Sequence, residues 1–475
     1  MNSEVSKLDK SLPEAVPANF TAAVSAAESQ QLQRRLKSRQ LSMIAIGGAI
    51  GVGLFLGSSF TIELAGPGVI VTYLFGALIT IVIAYAIAEM AVVHPVAGSF
   101  GVYAEKYLSP WVGFTVRATY GLCQIIAIGA EVTAVSIYFA YWWPSVPQWI
   151  WVVAVSAALI GINGFQVGNF GEFEYWFALI KVVAIIAFIV IGLLLITGVG
   201  PWPAVGFGNL TQNGGFLPHG WKGVWLALTL AITSYMGVEV IAVTAGEAED
   251  PAVSIPRAMK TIVYRLIIFY VLAITVMLTI RPWDHIGSAT VNGSPFVRAF
   301  ELVKIPFAAG FMNLVVITAA LSSANTNLYL STRMLYSLSR GRYAPSWVGH
   351  LSHKGVPHRA LALSSVGMIA AILLAVFAPS NAFLRLYGTA VAGMFYVWGV
   401  ILLTHLRFRR AIGPAWHGLP LRLPGYPWPT LAALIAMTAI ACTTFWVHGL
   451  EYTIPTFLPL LAVISLFYFA LRSRD

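Results

Sequence analysis

The sequence predicts an all-α integral membrane protein of about 12 transmembrane helices, and three observations carry that prediction. First, 58% of the residues are hydrophobic and only 10% are charged, with a mean hydropathy of +0.80. Soluble domains carry roughly 25% charged residues, so a water-soluble fold of 475 residues has too few charges to cover this much apolar surface. Second, apolar stretches of roughly 20 residues, the length a bilayer core requires, follow one another along nearly the whole chain. Third, Lys and Arg fall in short runs between those stretches, as in Arg34-Arg35-Leu36-Lys37 and Arg407-Phe408-Arg409-Arg410. That is the pattern of cytoplasmic loops. It also excludes nucleic acid as the partner of the net charge of +10, because nucleic-acid binding needs basic residues gathered on one face beside aromatics. The expected surroundings are a lipid bilayer.

The chain divides into an N-terminal tail, 1–40, and a membrane domain, 41–472. The tail is polar and poor in aromatics, with Pro13 and Pro17, and reads as largely disordered and cytoplasmic. It lacks the apolar core and small-residue cleavage site of a signal peptide. The apolar segments lie at about 43–62, 68–93, 112–142, 149–165, 175–198, 223–246, 261–281, 296–336, 359–378, 382–404, 430–448 and 454–472. The third and eighth are long enough to tilt or to project beyond the bilayer. With the N-terminus inside, about 22 of the 28 Lys and Arg residues face the cytoplasm and about five face outward. Both tails are therefore expected inside a cytoplasmic membrane.

In the first segment, Gly47, Gly48, Gly51 and Gly53 weaken a helix by roughly 1 kcal/mol each relative to alanine. Close packing would place glycines on one face, and these do not keep to one, so a local unwinding is expected. The second segment carries Glu89 near its cytoplasmic end, in a structural role. The third carries Glu131, for which two places are open: near a site, or hydrogen-bonded between helices. The fifth carries Lys181, which either snorkels from about two turns inside the cytoplasmic end or is a buried amine that gains and loses a proton.

The sixth segment combines Thr233, Ser234, Tyr235, Met236, Gly237 and Glu239 near mid-membrane. Glu239 is expected to tie this helix to its neighbours and to sense a coupling proton. The eighth carries Ser322, Ser323, Asn325 and Asn327, polar groups suited to bonding across helices. Segments one and six hold the same position in two successive sets of five. Paired interruptions at corresponding positions point to a transporter built of inverted repeats. In such folds, half-helix N-termini offer N–H groups to an anion while exposed carbonyls accept from a cation. A zwitterion such as an amino acid satisfies both.

The chain resembles bacterial amino acid permeases of the amino acid–polyamine–organocation superfamily, in the branch of aromatic amino acid, proline and GABA permeases. The resemblance runs from about Leu36 to Leu471. It rests on Ile46 to Phe55 with Ala65-Gly66-Pro67, Glu89 through Pro95 to Phe100, Gly237-Val238-Glu239, Gly246-Glu247-Ala248 through Pro256, and Thr332-Arg333-Met334-Leu335 through Pro345. It implies a LeuT-like fold of five plus five inverted helices with two more at the C-terminus. It also implies that N–H groups around Gly51, Val52 and Gly53 hold a substrate carboxylate. Carbonyls near Ala49 and Ile50, with those of Thr233 and Met236, would hold the substrate ammonium, and Tyr235 would cap the site. Lys181 matches the helix-five lysine that replaces a sodium ion in proton-coupled relatives, and so implies proton coupling. Val52 departs from the usual Ser or Thr, and Asn327 from the usual small residue. Glu131 matches a glutamate of members with neutral substrates.

The expected activity is therefore proton-coupled uptake of an amino acid, with amino acid exchange as the alternative. A membrane sensor would need a larger soluble domain. A membrane enzyme would need a nucleophile–base pair or metal cluster, which the apolar segments lack. Cys123 and Cys442 sit in apolar segments without metal-ligand spacing, and neither a metal nor a cofactor is expected.

Overall fold

A computed structural model of the protein describes Gln40, Met43 and residues 50–472, except 97, 166–167, 200–202, 246–249, 287–293, 304–306, 353–355, 378–381, 448–449 and 452. The N-terminal tail and Ala49 therefore lie outside the described residues, as do the glycines at 47 and 48. The described residues form helices and no strand. Nine of these helices are long and apolar enough to cross a membrane, and Gln148–Asn163 is a shorter apolar one. The first and sixth crossings are broken, and one of the nine helices, Gly57–Val93, includes the second half of the first crossing. The first span is Val52–Phe55 followed by Gly57–Ala65, and the sixth is Gly220–Ala231 with Val240–Thr244 beyond an irregular centre. Helices suit lipid because every backbone bond closes within the segment.

Burial follows the helical repeat. On the fifth span, Gly168–Thr197, Ile180, Val183, Ile186, Val190 and Leu193 are exposed, while Glu174, Ala178, Lys181, Ile185 and Phe188 are buried. Steps of three and four residues separate a lipid-facing stripe from a protein-facing one. Exposed Trp142, Trp143, Trp149, Trp221 and Trp446 lie at helix ends, where indoles favour the membrane–water boundary.

The third span, Pro110–Phe139, packs along the eighth, Ala308–Arg340. Proline at the first helical position and Ser109, whose Oγ accepts from the Val112 N–H at 3.3 Å, start the third span. Asn313 Nδ2 donates to the Tyr138 carbonyl at 2.8 Å and ties the two helices. The apolar stretch expected at 296–336 is two helices, Pro295–Val303 and Ala308–Arg340, rather than one. Phe307, just before the second of them, turns through a positive φ of 63°. The seventh span begins earlier than expected, at Pro251, capped by Asp250, and passes through a π-helical stretch, Leu266–Leu272. The tenth span, Ala382–Ile412, carries Arg407, Arg409 and Arg410 within its last turns rather than in a loop.

Candidate functional site

The described part of the first span opens on extended backbone. Ile50 is buried, and Gly51, at φ −134° and ψ −155°, precedes a helical turn from Val52. Helical bonding begins with the Leu54 and Phe55 N–H groups, both donating to the Gly51 carbonyl at 3.2 and 3.3 Å. The N–H groups before them are those a helix start leaves open. The Val52 N–H faces the Glu131 carboxyl. A Cβ on Gly51 would stand 2.6 Å from Ser323 Oγ and 2.9 Å from Glu131 Oε1, so only glycine fits against the third and eighth spans.

The sixth span breaks at Met236-Gly237. After a short 3₁₀ turn, Ile232–Tyr235, Met236 is extended (ψ 144°) and Gly237 takes a φ of 101°, open in practice to glycine. Side chains hold the break. Ser234 Oγ donates to the Gly53 carbonyl at 2.9 Å, joining the two broken helices. Tyr270 donates to the Ser234 carbonyl at 2.8 Å, and Tyr235 donates to the Tyr73 carbonyl at 2.6 Å. The Glu239 carboxylate accepts the freed Gly237 N–H at 3.1 Å and the Tyr120 hydroxyl at 3.2 Å.

A cavity lies between these breaks. Its wall includes Gly51, Val52, Gly53, Glu131, Thr233, Ser234, Met236, Ser323 and Asn327, all marked from the sequence as candidates. Gln124, Cys123 and Ala127 of the third span and Ala390, Val391 and Met394 of the tenth also line it. Those third- and tenth-span residues carry no charge or interruption, and only the fold brings them to the cavity. Tyr235 is absent from the wall: its ring packs among Tyr73 and Tyr270, with centroids 6.0 and 4.7 Å away. Ile50, Glu239, Ser322 and Asn325 also stand behind the wall. Glu131 is buried, with Oε1 accepting from Ser323 Oγ at 2.6 Å.

Lys181 is fully buried on the protein-facing stripe of the fifth span. Its Nζ lies 4.0 Å from Glu174 Oε1, also fully buried, and its charge acts on Glu131. A snorkelling lysine would send its amine to the boundary, and this one does not. Glu174 escapes notice in the sequence because it falls one residue before the expected start of the fifth span. Its seven-residue spacing from Lys181, two helical turns on one face, was the available signal. Arg265, buried in the seventh span, was likewise passed over.

Comparison with known proteins places this geometry. The amino acid permease family model matches residues 40–470. The chain belongs to the amino acid permease family. It is 42% identical over 410 residues to the uncharacterized amino acid permease YtnA of Bacillus subtilis, covering 86% of this chain and 88% of that one. It is 38% identical over 439 residues to the aromatic amino acid transport protein AroP of Salmonella typhimurium, covering 91% and 95%. With the gamma-aminobutyric acid permease of Bacillus subtilis, identity is 36% over 447 residues, covering 93% and 94%. The chain is thus a multi-pass membrane protein of a family of amino acid transporters, not of enzymes.

Proposed function

We propose that this permease takes up an amino acid together with a proton, binding it in the cavity between the first and sixth breaks. The Gly53 N–H left open at the helix start suits the substrate carboxylate, and carbonyls at the opposing breaks suit its ammonium. The observation that carries proton coupling is the position of Lys181. Its ammonium is sealed from lipid, and its charge reaches Glu131, whose carboxyl is bonded to Ser323 on the cavity wall. Protonation of Lys181 thereby alters the field at the substrate. A lysine in that place also repels sodium. The apolar faces of Ala127, Ala390, Val391 and Met394 suit a hydrophobic side chain, in keeping with a relative named for aromatic amino acids.

The test is uptake of labelled phenylalanine, tyrosine, tryptophan, proline and 4-aminobutyrate into proteoliposomes, with and without an inward proton gradient. Wild type should accumulate at least one of these only with the gradient, and Lys181→Ala should not. Exchange that ignores the gradient and survives Lys181→Ala would overturn proton coupling in favour of antiport.

A further inference from the structure

The cavity wall carries six side chains with nitrogen or oxygen, and the protein itself engages five of them. Glu131 Oε1 accepts from Ser323 Oγ at 2.6 Å, and Ser234 Oγ donates to the Gly53 carbonyl at 2.9 Å. Thr233 Oγ1 donates to the Leu230 carbonyl at 2.6 Å, and Gln124 bonds the Tyr120 hydroxyl. Asn327 is the sixth. It is half-buried, and its amide has no hydrogen bond to any described residue. Its neighbours on the eighth span differ: Ser322 Oγ donates to Glu174, and Asn325 Oδ1 accepts from Asn163 Nδ2 at 2.7 Å. An amide offers two N–H donors and an acceptor oxygen. Left unmatched when a ligand covers it, such a group costs its desolvation.

The amide has a definite place along the cavity. Hydrogen bonds pair Asn313 with Tyr138, Ser323 with Glu131 and Ser337 with Arg117, so the third and eighth spans run antiparallel. Ser323 and Glu131 stand against Gly51, at the level of the first break. Four residues on, about 6 Å along the helix axis, Asn327 comes level with Ala127 and on the same face as Ser323. The broken ends take the main chain of a substrate amino acid. Its side chain is left with Ala127, Ala390, Val391 and Met394, an apolar lining interrupted by this amide. We propose that Asn327 sets side-chain specificity: it hydrogen-bonds a polar group at the tip of an otherwise apolar side chain, and so favours tyrosine over phenylalanine. This rests on the reading that the cavity binds an amino acid. The amide can both donate to and accept from a phenolic hydroxyl, whereas a bare ring leaves it facing hydrocarbon. A site that bonds a substrate hydroxyl rejects the analogue lacking it more sharply than an apolar pocket rejects an added hydroxyl.

The experiment is counterflow in proteoliposomes of the full-length protein, which needs no gradient and so stands apart from proton coupling. Initial rates with labelled tyrosine, phenylalanine and 4-fluorophenylalanine give half-saturation concentrations and maximal rates separately. The fluoro compound distinguishes ring size from hydrogen bonding. In the wild type, tyrosine should half-saturate at about a tenth of the concentration the other two need, the factor expected of one net hydrogen bond. Asn327→Ala should raise the tyrosine value about tenfold, with the phenylalanine value and both maximal rates little changed. Asn327→Leu, close in shape but apolar, should prefer phenylalanine. Retained phenylalanine counterflow shows that each variant is folded, and the wild-type comparison decides by itself should Asn327→Ala fail to fold. Equal values for tyrosine and phenylalanine in the wild type would overturn the proposal, as would an unchanged tyrosine preference in both variants. An equal rise for both substrates would make Asn327 a main-chain or packing contact and overturn it too. Counterflow of proline or 4-aminobutyrate, but of no aromatic amino acid, would keep the amino acid cavity and remove this assignment.

Discussion

At the scale of single residues, the site turns on glycines at which any side chain must displace a neighbour or strain the backbone. Gly51 is pressed between Ser323 and Glu131, so even one methyl group must displace the bond between them. Gly51→Ala is expected to raise the half-saturation concentration for uptake about tenfold, equal to 1.4 kcal/mol, with little loss of folded protein in detergent. Unchanged uptake kinetics would remove the first-span break from the site. The glycine pattern made this break legible, because glycines that serve helix packing alone keep to one face and these four do not. Glu131 and Lys181 were legible as charges in apolar stretches. Cys123, Gln124 and Met394 were not, since an ordinary side chain on an ordinary helix becomes a site residue only through the packing of distant segments.

At the scale of elements, buried charges tie helices together. Glu89 of the second span accepts from Arg409 Nε at 2.7 Å and Nη2 at 2.8 Å, bonds His405 Nε2 at 3.0 Å, and takes the Leu423 N–H. Glu89→Ala would leave Arg409 buried without its counter-charge, a loss of about 3–5 kcal/mol, seen as a much lower melting midpoint in detergent. A midpoint within error of wild type would show the pair to be dispensable. The sequence marked Glu89 as structural but not its partners, because Arg409 sits in a basic run that resembles a loop and becomes buried only as the tenth helix extends.

The link between the second and third spans carries a pH-sensitive contact. His94 Nε2 lies 2.7 Å from the Tyr107 hydroxyl and 3.3 Å from Lys106 Nζ, while Tyr103 donates to the His94 carbonyl. Burial, aided by the Lys106 charge, pushes the imidazole down to about 3 from 6.5. The folded state therefore favours the neutral ring. Its stabilisation is complete above about pH 6.5 and is lost progressively as pH falls toward 3. The melting midpoint of wild type should fall more steeply than that of His94→Gln between pH 6.5 and pH 4. Parallel curves would refute this.

At the scale of the whole molecule, the number of crossings determines how the ends relate. With the even number of crossings that the sequence predicts, about 12, the two ends of the membrane domain are expected on one side. Which side follows from charge. In that arrangement Arg340, Arg359, Arg410 and Arg422 are expected on the side of the termini, and Lys222, Arg281 and Arg298 on the other. Positive residues are retained in the cytoplasm, so the termini are expected there. In intact cells a membrane-impermeant maleimide should label Lys222→Cys, an exposed position at the start of the sixth span. It should label Arg410→Cys, exposed at the end of the tenth, only after permeabilisation. The buried native Cys123 stays silent, and a Cys442→Ser background removes the other thiol. The reverse pattern would invert the molecule. The basic connections at Arg340, Arg359, Arg410 and Arg422 would then face outward, against the retention of positive charge in the cytoplasm.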